Sequence, residues 1–138
     1  MRETVIPPAE YFVAPDGKTV IPVHVDLIRA NSLLAAYPNQ EFIAVDEYYK
    51  RIIRFCTDNK ANLSEPSVLI ERGEYSVCTD DAGQIYVADC EIYRYNKDGA
   101  LTGTIVMPER PSTLVVAGPN NDTLFVTTCN SFYAVSLA

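Results

Sequence analysis

The stretch that decides the fold is FIAVDEYYKRIIRF at residues 42–55, because it recurs as IYVADCEIYRY at 85–95 and as LFVTTCNSFYAV at 124–135. Each copy consists of an apolar strand, a polar reversal and an aromatic-rich second strand. A turn and a further apolar strand precede each copy. Units of about 40 residues that contain about four short strands are typical of the blades of a β-propeller.

The rest of the chain agrees with this interpretation. Short apolar runs bounded by turn residues occur along its whole length, and the nearest helical pattern, at Asp26–Ala36, is short and interrupted by polar residues. Asp16-Gly17 and Asp98-Gly99 predict tight hairpin turns, because their central positions tolerate a positive φ. Examples of the predicted strands are Glu10–Ala14, Thr19–Val25, Glu41–Val45, Arg51–Phe55, Gln84–Ala88, Glu91–Tyr95, Leu101–Met107, Thr123–Thr127 and Phe132–Leu137.

We therefore predict an all-β protein, a partial β-propeller of about three four-stranded antiparallel blades. The prediction is one half-propeller domain, 1–138, with approximate units 1–30, 31–71, 72–108 and 109–138. A propeller ring usually needs about 4–8 blades, so three units cannot close one. Because an open arc leaves apolar blade faces uncovered, we expect a homo-oligomer, namely a dimer, or a companion chain that supplies the missing blades.

Composition narrows the class of protein. The chain has 138 residues, 48% of them hydrophobic, which is compatible with a packed core, and its formal net charge is −7. Such an acidic chain repels nucleic acid and anionic membrane surfaces, so we expect neither as a partner. No signal peptide or apolar run of about 20 residues is evident, which predicts a cytoplasmic protein. The four cysteines lack the spacing of a zinc or redox motif, and we expect reduced, buried thiols.

Several motifs resemble one family in the same order along the chain. They are YFVAPDGKT at 11–19, RANSL at 29–33, VDE at 45–47, RIIRF at 51–55, GQIYVAD at 83–89, PERPSTL at 108–114, TLFVT at 123–127 and SFYAV at 131–135. The pattern is similar to that of the gluconolactonase family, which includes senescence marker protein (regucalcin) and luciferin-regenerating enzyme. The resemblance covers the chain from about residue 10 and matches only the C-terminal half of the family's six-bladed propeller.

The resemblance implies a lactonase whose divalent cation, held on the propeller axis by oxygen ligands, polarises the lactone carbonyl and positions a water molecule. A family metal ligand falls on Asn31. The next ligand, an aspartate, falls on Tyr75, and a phenol with a pKa near 10 is a poor ligand for a hard cation. Glu74 can replace it if the loop shifts by one residue. The pocket asparagine of the last blade falls on Thr113.

We thus predict Asn31 and Glu74 as metal ligands, with calcium favoured and zinc or magnesium as alternatives, and Tyr75 and Thr113 as substrate-binding residues. No catalytic residue is assigned. The lone His24 lies in a strand away from the axial loops, and no nucleophile–histidine–carboxylate set can be assembled around it.

For several other acidic and aromatic residues, a structural role is favoured over a functional one. Asp46 and Asp89 end strands, and Asp80 begins a stretch through Gly83 that predicts a hairpin turn rather than a paired-carboxylate site. Tyr48 and Tyr49 can line a binding face, but packing between blades is the favoured interpretation.

Two functions remain open on sequence alone. One is a metal-dependent lactone hydrolase that becomes complete on assembly, with activity impaired by the departures at Tyr75 and Thr113. The other is a non-catalytic binding or interaction module derived from such a propeller.

Overall fold

The computed structural model of the chain describes residues 10–13, 15–24, 30–37, 41–56, 64 and 66–138. Every regular element in these residues is a β-strand, and each strand pairs antiparallel with the strand that follows it in its sheet. The first sheet is a hairpin of β1 (Glu10–Val13) and β2 (Val20–His24). The second is β3 (Ala30–Tyr37), β4 (Glu41–Asp46), β5 (Arg51–Cys56) and β6 (Ser67–Ile70).

The third sheet contains β7 (Ser76–Thr79), β8 (Ile85–Ala88), β9 (Ile92–Tyr95) and β10 (Leu101–Ile105). The fourth contains β11 (Pro111–Ala117), β12 (Thr123–Thr128) and β13 (Phe132–Ser136). The predicted fold class is confirmed: the chain is an all-β partial propeller. In the described residues it has two four-stranded sheets, one three-stranded sheet and one hairpin. In the segment with the nearest helical pattern, Asp26–Ala36, residues 30–36 lie in strand β3 and not in a helix.

The second, third and fourth sheets lie side by side through their first strands. β7 contacts β3 on one side and β11 on the other, so the first strands form the inner row of the propeller. Two hydrophobic clusters fill the spaces between neighbouring sheets. The cluster between the second and third sheets contains Ile43, Val45, Ile52, Ile70, Val77, Ile85, Val87 and Tyr95. The cluster between the third and fourth contains Cys78, Tyr86, Ala88, Ile92, Met107, Leu114, Leu124 and Val126.

Strand β8 shows why the first strand of the repeated motif is apolar at every position. Ile85 and Val87 belong to one cluster, whereas Tyr86 and Ala88 belong to the other, and all four are buried. Successive side chains of a strand point to opposite faces of its sheet. A strand with sheets packed on both faces therefore needs apolar residues at every position.

The predicted hairpin turns are present. Asp16 Oδ1 accepts hydrogen bonds from the amides of Lys18 and Thr19, and Gly17 has a φ of 69°. At the second turn Asn96 Oδ1 accepts from the amides of Asp98 and Ala100. Gly99 there has a φ of 86°, and a Cβ at this position would lie 2.4 Å from the carbonyl oxygen of Leu69. The backbone of this turn therefore lies close against strand β6 of the second sheet.

No helix in the described part of the chain has the length and hydropathy needed to cross a membrane.

Candidate functional site

The candidate site lies where the inner strands begin. β7 begins at Ser76, which pairs with Ala88 at the end of β8, and β11 begins at Pro111, which pairs with Thr128 at the end of β12. Residues that precede an inner strand therefore share an edge of the sheet with residues that follow the second strand. At this edge the third and fourth sheets make polar contacts with each other.

An arginine joins this edge across the two sheets. Arg110 precedes β11, and its Nη2 donates a hydrogen bond to the carboxylate of Glu74, which precedes β7. The same nitrogen lies 3.8 Å from Oδ1 of Asp89, which follows β8. The guanidinium carbon of Arg110 lies 5.6 Å from the centre of the Tyr75 ring. We call Glu74, Tyr75, Asp89 and Arg110 the Arg110 cluster.

The carboxylates of the cluster are more enclosed than its cation. The side chains of Glu74 and Asp89 are each 13% exposed, whereas that of Arg110 is 48% exposed. Attraction between charges strengthens as water is excluded, so the two carboxylates hold the guanidinium from the protein side while its other side faces solvent. The Tyr75 side chain of the cluster is also partly accessible, at 37% exposed.

A buried hydrogen bond fixes the two inner strands beneath the cluster. The hydroxyl oxygen of Ser76 accepts a hydrogen bond of 3.2 Å from the amide of Leu114. Both residues are buried. Because Ser76 follows Tyr75 directly, this bond sets the spacing between the loop that carries Glu74 and Tyr75 and the strand that follows Arg110.

The neighbouring carboxylate, Glu109, has its own donors. It accepts hydrogen bonds from the hydroxyl of Tyr133 at 2.6 Å and from Oγ1 of Thr128 at 3.0 Å. The bond from Tyr133, with those from Ser131 and Thr128, holds the pKa of Glu109 below its ordinary value. The same bond raises the pKa of the Tyr133 phenol. Glu109 thus ties the loop before β11 to the hairpin between β12 and β13.

The preceding unit has an aspartate, Asp46, at the position equivalent to Asp89. Asp46 is fully buried at the end of β4, and its Oδ2 accepts from Nη2 of Arg51 at 3.1 Å and from Nε at 3.3 Å. In the second sheet the arginine thus comes from the same hairpin as the aspartate. In the third sheet it comes from the next sheet along the chain.

The structure places the four predicted site residues as follows. Glu74 and Tyr75 both lie in the Arg110 cluster. Thr113 is exposed in β11 and pairs in register with Thr127. Asn31 lies in β3 at a register irregularity, between Ala30, which pairs with Asp46, and Ser32, which pairs with Val45; its side chain lies outside the described residues. The assignment of Asn31 and Glu74 to a metal, and of Tyr75 and Thr113 to a substrate, stays a prediction.

Two minor expectations need correction. Tyr48 and Tyr49 do not pack between blades: they are 59% and 56% exposed at the β4–β5 hairpin, where their rings meet edge to face at 5.0 Å. The tip of this hairpin extends past the sheet, and the strands beneath it supply the buried side chains.

The expectation of four buried thiols is also wrong. All four cysteines are free, but only Cys78 is buried, and Cys56, Cys90 and Cys129 are exposed. Cys78 lies inside an inner strand, whereas Cys56 ends β5, and Cys90 and Cys129 belong to hairpin turns. The expected turn at Asp80 is present, since Gly83 donates its amide to the carbonyl of Asp80 at 3.1 Å. The side chain of His24 lies outside the described residues.

Sequence comparison supplies the family. Residues 2–130 match the model of the SMP-30/gluconolactonase/LRE-like region. The chain belongs to this family. No curated protein matches it in sequence.

Solved structures share its fold at low sequence identity. One assigned as a gluconolactonase superposes with a TM-score of 0.84 at 21% identity, over 99% of this chain and 48% of that one. A gluconolactonase from Xanthomonas campestris superposes with a TM-score of 0.80 at 19% identity, over 93% and 44%. A calcium-binding regucalcin from Agrobacterium tumefaciens does so with a TM-score of 0.72 at 23% identity, over 88% and 44%. The chain thus spans less than half the length of these family members.

The described residues do not fit a divalent cation as they stand. Within the described ranges, no three histidine, cysteine or acidic side chains converge on one point. The carboxylates of Glu74 and Asp89 both face the guanidinium of Arg110. A cation and a guanidinium repel each other, so a metal ion held by Glu74 would have to displace Arg110.

Sequence reasoning did not single out Arg110. The available signal is its position: it directly precedes an inner strand, as Tyr75 does in the preceding unit. A position that supplies a site residue in one repeat is a candidate in the next. The motif PERPSTL at 108–114, read with the repeat, would have flagged an arginine at the edge where Glu74 was already a candidate ligand.

Proposed function

We propose that this chain is half of a gluconolactonase-type propeller that binds a lactone, or the sugar acid derived from one, beside the Arg110 cluster. In this proposal the ligand is bound but is not hydrolysed through a bound cation. The observation that supports this proposal most directly is that one guanidinium nitrogen of Arg110 contacts both Glu74 and Asp89.

The chemistry of the side chains supports binding over hydrolysis. A guanidinium donates hydrogen bonds in a fixed plane and suits carbonyl and carboxylate oxygens. Unlike a metal ion, it has no coordination site at which a water molecule becomes a nucleophile. The exposed part of Arg110 and the nearby Tyr75 ring offer a hydrogen-bond donor and an apolar surface to a small sugar derivative.

We further propose that a second chain completes the ring. Fewer than half the residues of a family propeller are present, and the outer strand β13 leaves Phe132 67% exposed. A second copy or a companion chain would cover this surface. Light scattering during gel filtration measures the mass directly: about twice 15.3 kDa supports two copies, and a well-folded monomer of 15.3 kDa contradicts closure by self-association.

Binding is tested by calorimetry with a six-membered sugar lactone and with its open acid. We expect saturable binding in the wild type and at least a tenfold weaker affinity in Tyr75→Ala. Tyr48→Ala removes another exposed tyrosine outside the cluster and serves as the matched control, with unchanged affinity. Equal affinity in all three proteins would refute the placement of the ligand.

The second candidate function is metal-dependent lactone hydrolysis after assembly, with Asn31 and Glu74 as ligands and Tyr75 and Thr113 against the lactone. The enclosed carboxylate of Glu74 at the start of an inner strand favours it. Proton release from the lactone at constant pH, with and without calcium, magnesium or zinc, separates the two functions. Hydrolysis that requires a cation and is lost in Glu74→Gln would establish the enzyme and overturn the binding proposal.

A further inference from the structure

The charges of the Arg110 cluster suggest why Glu74 and Asp89 can stay close together. Two enclosed carboxylates repel each other and need a nearby positive charge. Arg110 supplies it, and a guanidinium stays charged throughout the pH range in which proteins fold. The group that offsets the two carboxylates is therefore built into the chain.

The geometry of the contacts makes this compensation specific. One atom, Nη2 of Arg110, is hydrogen-bonded to Glu74 and lies 3.8 Å from Asp89. Two carboxylates that approach the same nitrogen can also approach one ion at that point. In contrast, Oδ2 of the buried Asp46 accepts hydrogen bonds from both Nη2 and Nε of Arg51, an arginine of the same hairpin.

We propose that the guanidinium of Arg110 takes the place of a metal ion at this end of the propeller, and that Glu74 and Asp89 form a latent cation site which Arg110 keeps closed. This inference deepens the proposed function and rests on its placement of the site at the Arg110 cluster. Arg110 enters from the solvent side, since it is the most exposed charged member of the cluster, so its removal opens a path to both carboxylates.

Three variants of the Arg110 cluster test whether Arg110 keeps the cation site closed. Arg110→Met removes the charge and keeps an unbranched side chain, whereas Arg110→Lys keeps the charge. The double variant R110M/E74Q removes the charge of one proposed ligand as well. Each protein is heated with calcium from zero to about 10 mM at constant ionic strength, since weak calcium sites have dissociation constants of about 0.1–1 mM.

We expect calcium to leave the unfolding midpoints of the wild type, R110K and R110M/E74Q unchanged. The midpoint of R110M should rise by about 4 °C at ten times its dissociation constant, because a ligand that binds only the folded state stabilises it by mass action. Equilibrium dialysis with radioactive calcium should show one bound ion per chain in R110M. No calcium response in folded R110M would overturn the inference.

The wild type provides a second test that does not depend on the folding of R110M. Calcium binding to the wild type in the dialysis experiment, lost in Glu74→Gln, would mean that the cation site coexists with Arg110 and would overturn the inference. No binding supports it. These readouts involve no lactone, so a chain that fails to bind lactone while R110M gains calcium would refute the proposed function and leave the inference standing.

Discussion

The hydroxyl oxygen of Ser76 lies 3.2 Å from the amide nitrogen of Leu114, and this hydrogen bond joins the first strands of two neighbouring sheets. It crosses 38 residues of sequence and lies in a buried position directly beneath the Arg110 cluster. The third and fourth sheets are thus held together by a polar contact within their apolar interface, and the candidate site lies above it.

Replacement of Ser76 by alanine should destabilise the protein by about 1–3 kcal/mol, because the buried amide of Leu114 loses its acceptor. Urea unfolding followed by circular dichroism measures the change. Ser67→Ala, at an exposed serine of β6, is the control and should change the free energy of unfolding by less than about 0.5 kcal/mol. Equal effects of the two substitutions would show that the bond contributes nothing.

The turn at Gly99 gives a second prediction, with a matched control in another turn. Gly99→Ala should cost more than Gly17→Ala, although both glycines have positive φ, at 86° and 69°. A Cβ at Gly99 would lie 2.4 Å from the Leu69 carbonyl oxygen, whereas nothing lies within 4 Å of one at Gly17. We expect about 1–2 kcal/mol for Gly17→Ala from the left-handed conformation alone.

For Gly99→Ala we expect at least about 2 kcal/mol more than for the control, because backbone must move to relieve the contact. Thermal or urea unfolding of both variants gives the comparison. The close approach of the turn to β6 would be refuted if the two substitutions cost the same.

Stability should fall at alkaline pH through Tyr86. Burial, with the hydrogen bond between its hydroxyl and Oδ2 of Asp80, raises the pKa of Tyr86 to about 12. An unfolded phenol loses its proton near pH 10. The contribution of Tyr86 is therefore complete below pH 10 and is lost as the pH rises from 10 to 12, where the unfolded state is ionised and the folded state is not.

Tyr86→Phe should remove this part of the pH dependence. Free energies of unfolding measured in urea between pH 8 and pH 11.5 should decrease less steeply in the variant than in the wild type. At pH 7 the variant should be less stable by about 1 kcal/mol, since Asp80 loses a donor. Tyr48→Phe, at an exposed ring, is the control, and a slope in Tyr86→Phe as steep as that of the control would contradict the assignment.

The four cysteines should differ in their reactivity toward a thiol reagent. Burial raises the pKa of Cys78 to about 12, and the thiolate is the reactive form. Ellman's reagent at pH 8 should therefore modify the three exposed cysteines, Cys56, Cys90 and Cys129, in the folded protein and the fourth only after unfolding.

Cys78→Ala supplies the check on this assignment. It should leave the thiol count of the folded protein unchanged and lower the count of the unfolded protein by one. Rapid modification of four thiols in the folded wild type would show that the inner strand β7 opens readily.

Much of the fold was predictable because its signals are local. The apolar runs, the Asp-Gly turns and the repeat placed nearly all of the strands, and β8 is apolar at every position since sheets pack on both of its faces. Burial of individual side chains was less predictable. Tyr48 and Cys56 are residue types that are common in protein cores, yet both are exposed, Tyr48 in the β4–β5 turn and Cys56 at the end of β5.

The sequence by itself determined the fold class, the family and the segment that leads into each inner strand, because strand periodicity, turn chemistry and the repeat are properties of neighbouring residues. Only the tertiary structure decided which charges meet there. Arg110 reaches Glu74 across 36 residues of chain because two sheets pack side by side through their first strands. The sequence identified Glu74 and Tyr75 as candidate site residues, but the contact of Glu74 with Arg110 follows from the packing of the sheets.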